Sequence, residues 1–269
     1  MKKLEHLSEI YSQYDCFIID LWGVMHNGVR LNGNAIEVVT NLKQQKKRIV
    51  FLSNAPRPSL SVINFLKNNL KMDEKFLTEV ITSGEAALKS IQEQKFGKRF
   101  FHLGPPRDKT LFIGLEENLT DIKKCDFILC TGLFDEKKDN LEFYKELLSN
   151  HSKKRFICTN PDLTVHKGSI EEYCAGSVAK IFEELGGRVE YFGKPYANVY
   201  SQSIKIENKR VLCIGDNLNT DIRGANMQNF SSLLISNGIH KKELENKNQN
   251  DLFKQYNVNV DYTQNNLKW

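Results

Sequence analysis

The chain has 269 residues, 40% hydrophobic and 26% charged, with a formal net charge of +5. That length suits one large domain or two moderate ones with a substantial core, and the composition is that of a folded globular protein rather than a disordered one. Its lysines are scattered among acids, which argues against a nucleic-acid surface, and no apolar stretch approaches the roughly 18 residues of a membrane span.

The N-terminal residues Met1-Lys2-Lys3-Leu4-Glu5-His6 lack the apolar stretch of a signal peptide. Six cysteines (Cys16, Cys125, Cys130, Cys158, Cys174, Cys213) show no paired spacing. Most sit in apolar runs, which suits buried free thiols in a reducing compartment, so a cytoplasmic protein without zinc is expected.

The elements alternate. Asp15-Cys16-Phe17-Ile18-Ile19-Asp20-Leu21-Trp22-Gly23-Val24 reads as a short apolar run, a buried strand that delivers Asp20 at its end, followed by a glycine turn. Asn34 to Gln45 has helical spacing, and Arg48 to Leu52 is a second strand stopped by Ser53-Asn54. A helix from about Leu60 to Leu70, a strand over Glu79 to Ser83 and a helix over Glu85 to Glu93 follow. Arg99 to Leu103, Phe127 to Thr131 and Arg155 to Thr159 read as strands, with a helix over Leu141 to Ser149 among them. The spacing predicts a long helix over Ser169 to Leu185, closed by Gly186-Gly187. Strands over Val189 to Phe192, Arg210 to Ile214 and Ser231 to Ile235 complete the pattern. From Lys241 to Trp269 the chain is rich in Asn, Lys and Gln, and no element is assigned there. Such alternation predicts an α/β fold with βαβ units and a mostly parallel sheet.

Four pieces share one form: an apolar run, then a polar residue at or just after its end. They are Asp20, Ser53, Lys194 and Asp216, the last joined by Asp221. Singly, each has an ordinary reading as a turn former, a helix cap or a surface lysine. In one parallel sheet they converge at one edge, where open α/β sheets bind ligands. Three crowded carboxylates repel one another, so the set calls for a hard cation and a lysine. Mg²⁺ prefers oxygen ligands and suits a phosphorylated substrate, whose oxygens the lysine and hydroxyl would orient.

Taken in order, Asp20-Leu21-Trp22-Gly23-Val24, Ser53-Asn54, Gly193-Lys194-Pro195 and Gly215-Asp216-Asn217-Leu218-Asn219-Thr220-Asp221 resemble the four motifs of the haloacid dehalogenase superfamily. The details are similar to its class IIA branch of sugar-phosphate, nucleotide, pyridoxal-phosphate and phosphoglycolate phosphatases. Thr159-Asn160-Pro161-Asp162 and the Gly168-Ser169 run also look like that branch. The resemblance fades after about residue 240. It implies a Rossmann-like parallel-sheet core, residues 1–83 plus 189–269, with an inserted α/β cap over 84–188. It also implies a small phosphorylated substrate and possible homodimers paired through the cap.

By the same resemblance, Asp20 is the nucleophile. Mg²⁺ is held by Asp20, Asp216 and the backbone carbonyl of Trp22, with Asp221 behind them or orienting Lys194. Ser53 and the backbone N–H of Asn54 hold phosphate oxygens, Lys194 bridges phosphate and nucleophile, and Gly23 allows the tight turn.

Phosphatases of this superfamily carry a second aspartate two residues after the nucleophile, and Trp22 stands there. An indole donates a hydrogen bond but shuttles no proton at neutral pH, and loss of an acid–base group costs roughly 10²–10⁴ in rate. Three outcomes are open: substrates with acidic leaving groups such as acyl phosphates, a substitute acid such as His26, or binding of a phosphorylated ligand with little turnover. His26 has an ordinary reading as a loop or cap residue, and Asp162 is either a turn former or a site residue. An aromatic at this position also resembles the superfamily's dehalogenases, a rival disfavoured by the acidic pair Asp216 and Asp221.

Overall fold

The computed structural model describes residues 1–168, 170–201 and 210–269. The chain begins with β1 (Lys2–Lys3), β2 (Cys16–Ile19), α1 (Gly33–Gln44), β3 (Arg48–Ser53), α2 (Ser59–Asn68), β4 (Val80–Thr82) and α3 (Ser83–Gln92). A second run holds β5 (Phe100–Leu103), β6 (Phe127–Cys130), α4 (Leu141–Leu148), β7 (Arg155–Cys158), the strands β8 (Thr164–Lys167) and β9 (Ile170–Tyr173), α5 (Ala175–Glu184) and β10 (Arg188–Tyr191). It closes with α6 (Ala197–Ser201), β11 (Val211–Gly215), α7 (Arg223–Met227), β12 (Ser231–Ile235), α8 (Lys241–Asn246), α9 (Gln249–Tyr256) and β13 (Tyr262–Gln264).

Seven strands form one sheet in the order β1-β13-β12-β11-β2-β3-β4, parallel throughout. From β2 the chain steps outward through β3 and β4, and from β11 it steps the other way through β12 and β13. The direction reverses between β2 and β11, which makes that pair the switch point where a ligand crevice opens at the carboxyl ends.

Strand alternation fills both faces of this sheet. Phe17, Ile19, Phe51 and Ile214 pack with Val38, Val39 and Leu42 of α1 and Leu66 of α2. Cys16, Ile18, Val50 and Leu52 face the opposite way, against Ala86, Ala87 and Ile91 of α3. Both faces are apolar because helices cover both, as a parallel sheet requires.

A second sheet, β10-β7-β6-β5, is also parallel. Phe100, Phe127, Leu129 and Ile157 join the α3 cluster, while Ile128, Cys130, Phe156 and Cys158 pack with Tyr144 of α4 and Phe182 of α5. One apolar layer thus runs from the first sheet through α3 to the second. The fold is an α/β parallel-sheet core with an inserted second α/β sheet. Arg188 to Tyr191 pair with β7 in that second sheet, which carries its strands a few residues beyond 188.

Two expectations change. The helix expected from Ser169 begins only at Ala175; Ser169 itself lies outside the described residues. Gly168, at φ +63°, turns the chain back, and Ile170 to Tyr173 pair antiparallel with β8 as a separate two-stranded hairpin. The polar tail is also ordered: α9 packs Leu252 and Phe253 against Leu218, Ile222 and Leu234, and β13 sits between β12 and β1. All six cysteines are buried and unbridged. Among the described residues, no helix is long and apolar enough to cross a membrane.

Candidate active site

Asp20 follows β2 directly, Ser53 ends β3, and Asp216 follows β11. Adjacent parallel strands in register therefore deliver these side chains to one edge. Lys194 arrives from the chain just after β10, and its Nζ lies 2.5 Å from Asp20 Oδ1 and 2.6 Å from Asp221 Oδ1. All three groups are buried. Asn54 clamps Lys194 from both sides: the Lys194 backbone N–H donates to Asn54 Oδ1 at 2.8 Å, and Asn54 Nδ2 donates to the Lys194 carbonyl at 3.2 Å. Ser53 Oγ accepts from the Ala55 N–H at 3.2 Å.

Asp216 is positioned by its surroundings. The Ile239 N–H donates to its Oδ2 at 2.9 Å. Gly23 runs beneath it at φ +87°, and a Cβ there would stand 2.2 Å from Asp216 Oδ2, so the turn accepts only glycine on both counts. Asp221 is held by the Asn217 N–H at 3.1 Å as well as by Lys194. The carboxylates of Asp20, Asp216 and Asp221 each offer an oxygen within 4.8 Å of the others. That hard-oxygen set is chemically fit for a divalent cation.

The electrostatics fit the same need. Burial pushes Asp20 well above the usual carboxylate range; Lys194 pulls it back, and Asp221 and Asp216 push it further up. Asp216 rises to about 7, from burial first and then from the charge of Asp221. Burial opposes the charge on Lys194, but Asp20, Asp221 and Asp162 outweigh it and raise the ammonium's pKa. One lysine cannot neutralise four neighbouring carboxyl groups, so a further cation would relieve the repulsion.

These groups open into a cavity of about 800 Å³ lined by Asp20, Ser53, Lys194, Asp216 and Asp221 from one side. Thr131, Gly132, Asn160 and Asp162 line it from the second sheet, and Thr164, His166 and Tyr173 from the hairpin. The carboxyl edges of both parallel sheets therefore face one space. Contacts between the two parts fix their spacing: Ser83 Oγ donates to the Thr159 carbonyl at 2.5 Å, and Arg57 pairs with Asp108 at 3.3 Å.

Asp162 belongs to this site. Its Oδ1 accepts from Asn217 Nδ2 at 3.2 Å, and loss of hydration, checked by Lys194, raises its carboxyl to about 6. Thr131 and Gly132 of the second-sheet wall were missed at the level of sequence, although Cys130-Thr131-Gly132 has the same form, an apolar run ending in a polar residue. His26 lines the cavity, but its Nδ1 accepts from the Gly28 N–H at 3.0 Å and burial lowers it to about 4. It is neutral at physiological pH and a poor substitute acid. Trp22 Nε1 donates to the His166 carbonyl at 2.8 Å, so the indole is engaged across the cavity mouth.

A doubly wound parallel sheet with this acidic crevice at its switch point, and a second sheet inserted between the strands that build it, defines a known class of hydrolase. Residues 17–116 match the haloacid dehalogenase-like hydrolase family and residues 191–261 a second description of the same group, HAD-hydrolase-like. The chain belongs to the haloacid dehalogenase-like hydrolases. It is 25% identical over 240 residues to the 5'-nucleotidase YutF of Bacillus subtilis, covering 86% of this chain and 90% of the relative. It is 23% identical over 300 residues to the chloroplastic phosphoglycolate phosphatase 1A of Arabidopsis thaliana, covering 94% and 78%. Among solved structures, a haloacid dehalogenase-like hydrolase from Brucella suis superposes with a TM-score of 0.86 at 29% identity, covering 98% of this chain and 99% of that one.

Proposed function

We propose that this chain is a Mg²⁺-dependent phosphatase of a small phosphorylated metabolite, acting through an aspartyl-phosphate at Asp20. The observation that carries this reading is the Lys194 ammonium bridging Asp20 and Asp221 beside Asp216, at the one edge where a phosphate would meet all four. The relatives named nucleotidase and phosphoglycolate phosphatase support it.

In this reading a carboxylate oxygen of Asp20 attacks phosphorus as the bond to the leaving oxygen breaks. Water then attacks the phosphorus, the bond to Asp20 breaks, and the carboxylate is restored. Lys194 holds the nucleophile and neutralises phosphoryl charge, while Ser53 and the Asn54 N–H take phosphoryl oxygens. Asp20, Asp216 and the Trp22 carbonyl would hold Mg²⁺, with Asp221 fixing Lys194 behind them. When bound, the ion would supply the positive charge that the transferred phosphoryl group needs. Trp22 gives no proton to the leaving group, so acidic alcohols, phenols and acyl groups depart most readily. We place the division between chemistry and cover at residues 84 and 191, with the second sheet and hairpin as the cap.

Purified protein should release p-nitrophenol from p-nitrophenyl phosphate only with Mg²⁺, and Asp20→Asn should abolish release. Undiminished turnover by Asp20→Asn would remove Asp20 from the nucleophile's role.

A further inference from the structure

Trp22 has a second property that the missing proton shuttle obscures. Its indole N–H reaches a main-chain carbonyl 144 positions further along the chain, that of His166 in β8. The β8–β9 hairpin belongs to neither larger sheet. A two-stranded hairpin is marginal by itself and takes its position from its anchors. At its base, the Cys174 N–H and Ser177 Oγ both donate to the Leu163 carbonyl, at 2.8 and 2.7 Å. At its tip, the Trp22 indole holds His166, and the Gly168 N–H donates to the Asn27 carbonyl at 3.2 Å. Both tip bonds join the hairpin to the loop that follows Asp20.

The indole is itself held in place. Its ring meets His26 edge-on at 5.1 Å, and His26 meets Phe65 of α2 at 6.0 Å. Thr164, Val165, His166, Glu172 and Tyr173 of the hairpin line the cavity. The tip bonds therefore set where one wall of the substrate space stands. An aspartate at position 22 is too short to span the same gap, so the residue that removes a proton shuttle also provides a reach that a carboxylate lacks.

We propose that Trp22 is a positioning residue whose indole N–H pins the β8–β9 hairpin to the catalytic loop, fixing the wall of the cavity that meets the substrate's leaving group. The proposal rests on the phosphatase reading only for which part of the substrate that wall meets.

Three measurements test it. In the unsubstituted protein, with Trp269→Phe used to assign the two indole signals, the Trp22 indole proton should be protected from solvent exchange by at least about tenfold over a free indole. In Trp22→Phe, which keeps an aromatic ring and loses the donor, backbone amides over 164–168 and 170–173 should exchange about three- to tenfold faster. KM for p-nitrophenyl phosphate at fixed Mg²⁺ should rise by a larger factor than kcat falls, because a wall is loosened while the nucleophile is untouched. An unprotected indole, or hairpin exchange unchanged in Trp22→Phe, overturns the proposal. If Trp22→Phe fails to fold, the indole measurement on the native chain decides alone. Retained turnover in Asp20→Asn would overturn the phosphatase reading and leave both exchange results standing as the test of the tether.

Discussion

Removing a carboxylate from the acidic crevice should stabilise the metal-free protein while destroying its cation site, and Asp216→Asn is the sharpest case. Asp216 is buried, with its carboxyl raised from the ordinary 3.8 to about 7, and it accepts one N–H from Ile239. In the unfolded chain the carboxyl loses its proton near pH 4; in the folded chain it keeps it to about pH 7. Stability from this group is therefore complete below about pH 4 and is lost as pH rises through 7. Above that range the ionised form costs about 4 kcal/mol by the usual conversion of pKa to free energy. Asparagine is neutral, nearly the same shape, and still able to accept from Ile239. The variant should melt on the order of 10 °C higher than wild type at pH 8. The difference should shrink steadily toward pH 4. Added Mg²⁺ should close more than half of the gap, since a ligand at a hundred times its Kd contributes about 2.7 kcal/mol to a protein that binds it and little to one that does not. Thermal melts at three pH values, with and without Mg²⁺, measure all of this. A variant no more stable than wild type at pH 8, or stabilised equally by Mg²⁺, would refute the account of the crevice as a strained cation site.

Lys194→Met should do the opposite at neutral pH, losing about 3–5 kcal/mol because two buried carboxylates lose their partner; denaturant titration reads it. Trp22→Asp should raise the ratio of kcat/KM for an alkyl phosphate to that for p-nitrophenyl phosphate by about a hundredfold, the lower end of the 10²–10⁴ ascribed to an acid–base group. Trp22→Phe loosens the hairpin without adding an acid and serves as the control, so a ratio no higher in Trp22→Asp than in Trp22→Phe would mean the position has no access to the leaving oxygen. Ser83→Ala removes a hydroxyl bonded to the Thr159 carbonyl at 2.5 Å and the Ala55 carbonyl at 2.9 Å. It should cost about 1–3 kcal/mol and raise KM as the two sheet edges lose their fixed spacing, measured by melting and steady-state kinetics.

The crevice was legible in the sequence because its residues terminate apolar strands. Phe17 to Ile19 and Val211 to Ile214 announce β2 and β11, and in a parallel sheet the one or two residues that follow are committed to the carboxyl edge, so Asp20 and Asp216 follow from pattern alone. Elements held by backbone bonds without an apolar run were not legible. β1 is two lysines, joined to β13 by bonds such as the Lys2 N–H to the Asp261 carbonyl at 2.8 Å, and backbone pairing leaves no mark in composition. The hairpin was hidden for another reason: Ile170 and Tyr173 fall on the helical stripe that continues into α5, and only the left-handed turn at Gly168 breaks it. Trp22's reach to His166, like Asp162's to Asn217, depends on how the second sheet sits over the first, which no local pattern encodes.

The six buried thiols make this protein its own clock. Cys16 and Cys213 lie in the first sheet, Cys130 and Cys158 in the second, Cys125 packs beside the second sheet, and Cys174 stands between β9 and α5. With no thiol at the surface, a chromogenic disulfide reagent can react only when some part of the chain opens. Mass spectrometry of the labelled peptides would then time the opening of each sheet separately, and show whether substrate or Mg²⁺ slows the first sheet, the second or both.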